Sequence, residues 1–215
     1  MRILMKVLYT ARIARYDLQR AINALGSQVH QWDEECEEDL YRLMCYIKSS
    51  LNKRMFGWVG DKAEDIAPHA YADADFAGCA TSSRSTTGVH LCLKGKNTYF
   101  PLNGVSKKQD AVSHSTPEAE IVAAAFAIRK EGLPASFLWD TLLRNGKITA
   151  GERVVTTFHE DNQTMIRVCQ TGRNPTMRHL PRTHYVQISW LKERFETPDL
   201  KLIYEPSAKQ AADIY

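Results

Sequence analysis

The order of its β-strand candidates is the feature that most constrains how this chain can fold. Three short stretches of strand character follow one another, and two more come later, separated by helical patterns. The five candidates span residues 69–73, 88–93, 98–106, 154–158 and 200–204. Consecutive strands favour antiparallel pairing, whereas strands that alternate with helices favour parallel pairing. The sequence therefore predicts an α/β domain with a mixed sheet and helices packed on it.

Helical patterns fill the segments around the later strands. The strongest is an alanine-rich run over residues 122–128, which begins at Ser115 or Thr116 with Pro117 in the first helical position. Residues 171–181 are rich in Gly, Pro and polar side chains and predict a loop. Further helices are predicted over residues 137–143, 164–169, 184–195 and 207–215. These elements and the strands belong to one domain, which we place at residues 67–215.

The first 66 residues have a different, helical pattern. Helices are predicted over residues 9–25 and 33–51, with a short strand at 55–59. The second helix starts with acidic residues and ends with basic ones, which suits the helix dipole. Its predicted buried stripe consists of Leu40, Leu43, Met44 and Ile47. Two helices bury only a small hydrophobic core, so we expect this segment to pack against another part of the protein.

Composition excludes several classes of protein. Five scattered cysteines include no C-x-x-C pair, which argues against a disulfide framework or a structural zinc site and favours a reducing, intracellular setting, cytoplasmic or nuclear. No apolar run is long enough to span a bilayer, and we expect neither a signal peptide nor a membrane partner. The formal net charge of +3 lies wholly beyond residue 66. A nucleic-acid partner would therefore need a local concentration of positive charge.

Carboxylates recur at the ends of the predicted strands and at the start of the alanine-rich helix. They are Asp73, Asp75, Glu118, Glu120, Glu160 and Asp161, and Asp213 follows in the last predicted helix. Each of these positions alone is commonly structural or solvated. Converging carboxylates cannot all stay ionised without a cation, and oxygen ligands favour Mg²⁺ or Mn²⁺. Two such ions could support phosphodiester hydrolysis, but spacing alone does not establish convergence.

Six blocks of sequence resemble the ribonuclease H domain of copia-type LTR-retrotransposon Pol polyproteins. In order they are YADADFAG (71–78), RSTTG (84–88), SKKQ (106–109), STPEAE (115–120), EDNQ (160–163) and ADI (212–214). Upstream, LYTAR (8–12) and YIK (46–48) resemble the end of the family's reverse transcriptase, its thumb or connection. The resemblance covers nearly the whole chain. It implies a ribonuclease H-like mixed five-stranded sheet with flanking helices, preceded at residues 1–66 by a small helical segment.

The resemblance also implies a catalytic site. Its carboxylate set, carried over by position, is Asp73, Glu120, Asp161 and Asp213, which would hold two Mg²⁺ or Mn²⁺ ions with Asp73 between them. The activity implied is hydrolysis of the RNA strand of RNA–DNA hybrids. Glu118 is expected to be solvated or to cap its helix, and Asp75 to be structural. Asp213 is expected near a chain end that frays.

A basic stretch suggests where nucleic acid would lie. No acidic residue occurs from Asn162 to Lys192. Its basic side chains could bind the phosphates that flank the cleaved bond. An ordinary basic surface loop without a ligand would have the same composition. The predicted nucleic-acid contacts are Lys107, Lys108, Asn162, Gln163, Arg167, Arg173, Arg178 and Arg182.

One histidine of this stretch matches a family motif. His184 matches a family histidine that could assist proton transfer, and a surface histidine without a role is the competing interpretation. Trp190 stands where the family usually has a second histidine.

Three functions remain open at this point. The first is the hybrid-specific ribonuclease, acting beside the remainder of the reverse transcriptase polyprotein. The second is a catalytically inactive nucleic-acid-binding remnant of a retroelement. The third is a DNA-cutting transposase or integrase, which the fold also supports. The four-carboxylate set favours the first over three-acid DNA-cutting chemistry. The paired-Asp polymerase motif does not occur, so we expect no polymerase activity from this chain.

Overall fold

A single five-stranded sheet organises the protein. The computed structural model describes residues 2–79, 82–146 and 154–215. Its strands are β1 (Ala67–Asp75), β2 (Thr86–Lys94), β3 (Tyr99–Lys108), β4 (Thr156–Glu160) and β5 (Leu200–Tyr204). The spatial order is β3-β2-β1-β4-β5. β1 pairs with β2, and β2 with β3, in antiparallel fashion, whereas β4 is parallel to β1 and β5 is parallel to β4.

Eight α-helices accompany the sheet in the described part of the chain. They are α1 (Arg2–Ala14), α2 (Gln19–Ser27), α3 (Glu34–Ser49), α4 (Thr116–Ala127), α5 (Leu133–Asn145), α6 (Gln163–Thr171), α7 (Leu180–Thr183) and α8 (Ile188–Phe195). A π-helical turn, Ile128–Gly132, joins α4 to α5. Three antiparallel strands followed by two parallel strands, with helices in the connections, form a ribonuclease H-like fold. The predicted fold class is confirmed.

The main core lies between β1 and α4. Side chains alternate along a strand, so Ala70, Ala72 and Ala74 point to one face of β1. The alanine-rich helix α4 packs on that face, and Ala123, Ala124 and Ala127 are fully buried there. Small side chains on both elements allow a close approach of helix and sheet. The first turn of α4 is thereby fixed against the middle of the sheet.

The opposite face of the sheet carries polar and aromatic side chains. Tyr16, Tyr71 and Tyr215 are buried there in one cluster. The Tyr215 hydroxyl lies 2.8 Å from His90 Nδ1, and Gln210 Nε2 donates to the Ala72 carbonyl at 3.0 Å. These contacts hold residues 210–215 on the sheet, so the expectation of a frayed end is wrong. The predicted helix at 207–215 is also wrong, because only Ser207–Lys209 forms a 3-10 turn before the chain bends onto the sheet.

The first segment forms its own small core. Leu4, Ile22 and Leu43 are buried in it, one from each of α1, α2 and α3. The predicted helix at 9–25 is two helices, which a 3-10 turn at Tyr16–Leu18 separates. Met44 is 42% exposed, so the predicted stripe on α3 is too wide. The predicted strand at 55–59 is reduced to a single bridge between Trp58 and Tyr99.

This segment packs directly on the sheet. Gln19 Nε2 donates to the Gly104 carbonyl at 2.7 Å, and Asn23 Nδ2 donates to the Ser106 carbonyl at 2.6 Å. Both carbonyls belong to the edge strand β3. The Arg20 guanidinium also pairs with Asp75 at the end of β1. Helix α2 therefore covers part of an edge that would otherwise present unpaired backbone groups.

The remaining predicted elements are present with shifted limits. Helix α4 begins at Thr116, with Ser115 as its cap, and the strand predicted at 154–158 runs from Thr156 to Glu160. The helix predicted at 184–195 begins only at Ile188, because Tyr185 has a left-handed backbone with φ of +57°. Across the described ranges, no helix combines the length and apolarity needed to cross a membrane.

Candidate active site

Three carboxylates from three elements meet at one end of the sheet. Asp73 lies on β1, Glu120 in the first turns of α4, and Asp161 directly after β4. One oxygen or more of each lies within 4.8 Å of the others. Parallel pairing aligns Tyr71 with His159, so two residues further on the register brings Asp73 opposite Asp161. The structure thus brings together three of the four predicted acids.

The start of α4 sets the position of Glu120. Ser115 accepts a hydrogen bond from the Glu118 backbone N–H at 3.4 Å and so caps the helix. Pro117 favours helical geometry in the first turn without losing a backbone hydrogen bond. Glu120 is 4% exposed, and its Oε2 has no hydrogen-bond partner among the described residues. A buried oxygen without a partner at this point is available to a ligand.

Burial and mutual repulsion perturb these carboxyl groups. Burial, followed by the charges of Asp161 and Asp213, raises the pKa of Asp73 to about 6. Burial, followed by the charges of Glu160, Asp73 and Asp161, raises the pKa of Glu120 to about 10. The site without a cation therefore holds protons that ordinary carboxyl groups would release near neutral pH.

Glu160 belongs to the same acidic region, although it was not among the predicted site residues. It is fully buried, and its Oε1 accepts the Asn162 backbone N–H at 3.1 Å while Oε2 has no partner in the described structure. Burial raises the pKa of Glu160 well above its usual value, and Asp161 and Asp73 raise it further. Alternation along β4 could have revealed it, because Glu160 is two residues from the core residue Phe158 and shares its face.

The side chains present fit a hard divalent cation. Such ions prefer carboxylate oxygens, and oxygens bound to one Mg²⁺ lie up to about 4 Å apart, close to the spacing here. Glu120 and Glu160 each have an oxygen without a hydrogen-bond partner in the described chain, and their raised pKa values indicate that burial disfavours the ionised form when no cation is bound. A bound cation would relieve both conditions.

The fourth predicted acid, Asp213, lies beside the cluster. It is exposed, in a turn that follows Gln210, and is not one of the three mutually close carboxylates. Its charge nevertheless contributes to the raised pKa of Asp73. The buried neighbours Ala212 and Tyr215 hold this turn on the sheet.

Glu118 is not solvated, and the expectation for it is wrong. Its side chain is 2% exposed, and Oε1 lies 3.0 Å from His179 Nε2 and 3.6 Å from His184 Nε2. The His184 side chain is itself 1% exposed, so the alternative of a surface histidine is also wrong. His179 keeps 34% of its side chain exposed. Helical geometry would have placed Glu118 on a different face of α4 from Glu120, but not against two histidines from a distant loop.

The predicted nucleic-acid contacts are mostly exposed cations. Within the described ranges, Arg167, Arg173, Arg178 and Arg182 are exposed and form no ion pair. Lys107 and Lys108 end β3. Asn162 caps α6 by accepting the Met165 backbone N–H at 2.9 Å, and Gln163 is exposed in its first turn.

Comparisons with known proteins identify relatives in sequence. No family model matches the chain. Over 111 residues it is 33% identical to the retrovirus-related Pol polyprotein from transposon RE1 of Arabidopsis thaliana, and 32% identical to that from transposon RE2. Over that stretch the chain is similar to the Pol polyproteins of two transposons. It is also 30% identical, over 116 residues, to an uncharacterized mitochondrial protein of Arabidopsis thaliana.

The alignments cover about half of this chain and only part of each relative. They span 52% of this chain and 7% of either polyprotein, and 53% of this chain and 44% of the mitochondrial protein. Among solved structures, a ribonuclease H1 isolated from compost by a metagenomic approach superposes with a TM-score of 0.38 at 17% identity, covering 70% of this chain and 91% of that chain. The foamy viral protease-reverse transcriptase gives a TM-score of 0.33 at 16% identity, covering 73% and 92%. The sheet topology and the Pol relatives together support a ribonuclease H-type domain.

Proposed function

We propose that this chain is a metal-dependent endoribonuclease that hydrolyses the RNA strand of RNA–DNA hybrids, as the ribonuclease H of a copia-type retrotransposon. The observation that carries the proposal is the cluster of Asp73, Glu120 and Asp161 at one end of a ribonuclease H-like sheet. The similarity to retrovirus-related Pol polyproteins from transposons supports it.

In this proposal each carboxylate has a stated place. Asp73, Glu120 and Asp161 would hold one cation, and Asp73 and Asp213 would hold a second. Two Mg²⁺ or Mn²⁺ ions would supply an activated water and stabilise the charge on the leaving oxygen. The chain's contribution would be to hold Asp73 on β1, Glu120 in the first turns of α4 and Asp161 at the end of β4. The product end is a 3′-hydroxyl.

The substrate would lie across the acid cluster and the exposed cations. The four arginines of residues 162–192 would contact phosphates, with Lys107, Lys108, Asn162 and Gln163 as further contacts. Discrimination for the hybrid would come from contacts with 2′-hydroxyl groups on one strand and with the DNA backbone on the other.

His179 and His184, which lie beside the Glu118 carboxylate, are the groups proposed to assist proton transfer. His184 is the predicted catalytic histidine, but it is buried against Glu118. His179 shares the same carboxylate oxygen and has an exposed edge. We therefore assign proton exchange with solvent to His179 and a positioning part to His184.

We also propose that residues 1–66 are the end of a reverse transcriptase and residues 67–215 the nuclease domain. The hydrogen bonds from Gln19 and Asn23 to β3 support a fixed attachment of the first segment to the second. The remainder of the reverse transcriptase polyprotein is the expected partner, beside the hybrid substrate.

A substrate panel tests the proposal. The full chain is incubated with labelled RNA–DNA hybrid, duplex DNA and duplex RNA, each with Mg²⁺, Mn²⁺ or EDTA. Metal-dependent cleavage restricted to the RNA of the hybrid supports it. Binding of the hybrid without cleavage would instead identify an inactive nucleic-acid-binding remnant, and cleavage of duplex DNA would indicate transposase-type chemistry.

A further inference from the structure

A basic groove lies on a different side of α4 from the acid cluster. It consists of two adjoining cavities of about 210 Å³ and 380 Å³, which share Arg129 and Tyr185 in their walls. We define the basic groove by Lys107, Lys108, Arg129, Lys130, Tyr185 and Trp190. None of Asp73, Glu120 or Asp161 lines either cavity. The groove is thus distinct from the acid cluster, although its walls include His184 and the two lysines proposed above as substrate contacts.

The charge of the groove is positive and largely uncompensated. Lys107 and Lys108 end β3, and Arg129 and Lys130 lie in the π-helical turn after α4. Asp110 is the acidic residue in the walls, and it lies 3.7 Å from Lys107. In the described parts of the chain, Lys108, Arg129 and Lys130 form no ion pair. Three cations around one concavity favour a polyanionic ligand.

Tyr185 projects an aromatic ring at this groove. Its side chain is 78% exposed, and its backbone φ of +57° is rare for a bulky residue. The buried side chains of His184 and Val186 fix the chain on both sides of it. The Tyr185 ring lines both cavities and is accessible there to a ligand. Trp190 lines the same second cavity, so two aromatic side chains accompany the cations.

We propose that the basic groove binds a single-stranded nucleic-acid segment, with its phosphates on the cations and a base stacked on Tyr185. Grooves that bind single strands combine these two features, whereas an acidic peptide would need only the charge. Glu120 and Arg129 are nine residues apart along the α4 direction, which corresponds to roughly 13 Å. That distance equals about four nucleotide steps of one strand at duplex spacing. The inference rests on the proposed function to the extent that the same nucleic acid would reach both sites.

Equilibrium binding in the absence of metal tests this groove separately from catalysis. Fluorescence anisotropy follows a labelled single-stranded oligonucleotide, DNA or RNA, bound to the full chain in EDTA over a range of salt concentrations. The test variants are Arg129→Ala combined with Lys130→Ala, and Tyr185→Gly compared with Tyr185→Phe. The matched control is Lys48→Ala combined with Lys62→Ala, which removes two exposed lysines of the first segment.

The expected results are specific to the groove. The Arg129/Lys130 double variant weakens binding about tenfold or more, and its slope of log affinity against log salt falls by about 1.4, since each cation on a single strand contributes about 0.7. Tyr185→Gly weakens binding while Tyr185→Phe retains it. Because glycine accepts a positive φ, loss of binding in Tyr185→Gly would not reflect misfolding. The lysine control binds like the wild type.

Four results would overturn the inference. They are a wild-type chain that does not bind the oligonucleotide, an unchanged salt slope in the double variant, an equal loss in the lysine control, and equally tight binding of a polyglutamate peptide. The proposed nuclease function has a different failure. If the chain binds through the groove but never cleaves the hybrid, the groove inference stands and the proposed nuclease function fails. If the chain cleaves the hybrid but the groove variants bind the oligonucleotide like the wild type, the nuclease function stands and the groove inference fails.

Discussion

Glu118 and His179 contact each other through their side chains, with His179 Nε2 lying 3.0 Å from Glu118 Oε1. The pair joins the first turn of α4 to the loop before α7, 61 residues further along the chain. His184 lies 3.6 Å from the same oxygen, beyond ordinary hydrogen-bond distance. A buried carboxylate requires such partners, because an isolated buried charge is strongly destabilising. The contact therefore fixes the loop that carries His179 beside the proposed catalytic end of α4.

Removal of the Glu118 carboxylate should destabilise the protein. We expect Glu118→Ala to lower the free energy of unfolding by about 3 kcal/mol, since half-buried His179 loses its hydrogen-bond partner and buried His184 loses a neighbouring carboxylate. Glu118→Gln, which keeps an acceptor oxygen, should cost about 1 kcal/mol. Urea denaturation measures both, with the exposed Glu193→Gln as the matched control. A Glu118→Ala variant as stable as that control would contradict this account of the contact.

The acid cluster should make the metal-free protein sensitive to alkaline pH. The pKa of Asp73 is raised to about 6 and that of Glu120 to about 10, so the folded state holds protons that the unfolded chain releases. Their contribution to stability is full below the unfolded values and is lost as pH rises through these folded values. We therefore expect Tm in EDTA to fall from about pH 4, where the unfolded carboxyl groups ionise, to about pH 10.

Metal and a neutral side chain should both reduce that fall. Mg²⁺ stabilises the ionised carboxylates and so should raise Tm most at the alkaline end. Glu120→Gln should flatten the dependence in EDTA, whereas Glu193→Gln should not. A Tm in EDTA that does not change over this window, or the same fall in Glu120→Gln, would count against the cluster as described.

The second face of the sheet should give the opposite pH dependence. His69 Nδ1 lies 2.7 Å from His159 Nε2, and His159 Nδ1 lies 2.7 Å from Glu205 Oε2, which fits neutral rings that each donate from Nδ1. Burial is the main cause that lowers the pKa of both histidines to about 3, and Lys94 adds to the effect. Tyr71 stacks on His159 with ring centroids 3.9 Å apart.

Protonation of both histidines at acidic pH should therefore destabilise the folded state. Their contribution is full above the unfolded value of 6.5 and is lost as pH falls towards about 3. We expect His69→Gln to lose less stability than the wild type between these values, as measured by urea denaturation at a series of pH values. A variant and wild type with parallel pH profiles would show that His69 does not titrate with folding.

The attachment of α2 to the sheet can be tested by single substitutions. Gln19 is buried, and its amide donates to Gly104 of the edge strand. We expect Gln19→Ala to lower the free energy of unfolding by about 1–3 kcal/mol, because a buried backbone carbonyl loses its donor and a cavity forms. Gln31→Ala, at an exposed position in the same segment, is the control. Equal stability of the two variants would mean that the contact contributes nothing.

Much of the fold could be predicted from the sequence because its elements have strong local signals. The alternation in β2 and the alanine-rich run of α4 each determine one buried face, and both were located within a few residues. The errors fall where local signals conflict with packing. Residues 9–25 have a helical pattern throughout, yet the chain turns at Arg15 so that Tyr16 packs on the sheet. Residues 55–59 have strand character but only one bridging partner.

The site was predictable in part for a similar reason. Strand ends and a helix start are visible in sequence and marked the candidate carboxylates, whereas the choice of Asp73, Glu120 and Asp161 among them came from the resemblance to the retrotransposon ribonuclease H domain. The environment of Glu118 depends on His179 and His184, which come from a loop with no periodic pattern. Glu160 was a candidate carboxylate but was left out of the predicted site, because the resemblance assigns its neighbour Asp161 and the expectation is that acids at strand ends are solvated, whereas Glu160 is buried.

The most direct test of the central claim is the rate of RNA cleavage in an RNA–DNA hybrid by the wild type and by Asp161→Asn in Mg²⁺. Asp65→Asn, at an exposed position away from the cluster, is the matched control. The account predicts hybrid cleavage by the wild type and by the control, and a loss of about a hundredfold or more in Asp161→Asn. Cleavage by Asp161→Asn at the wild-type rate would contradict it.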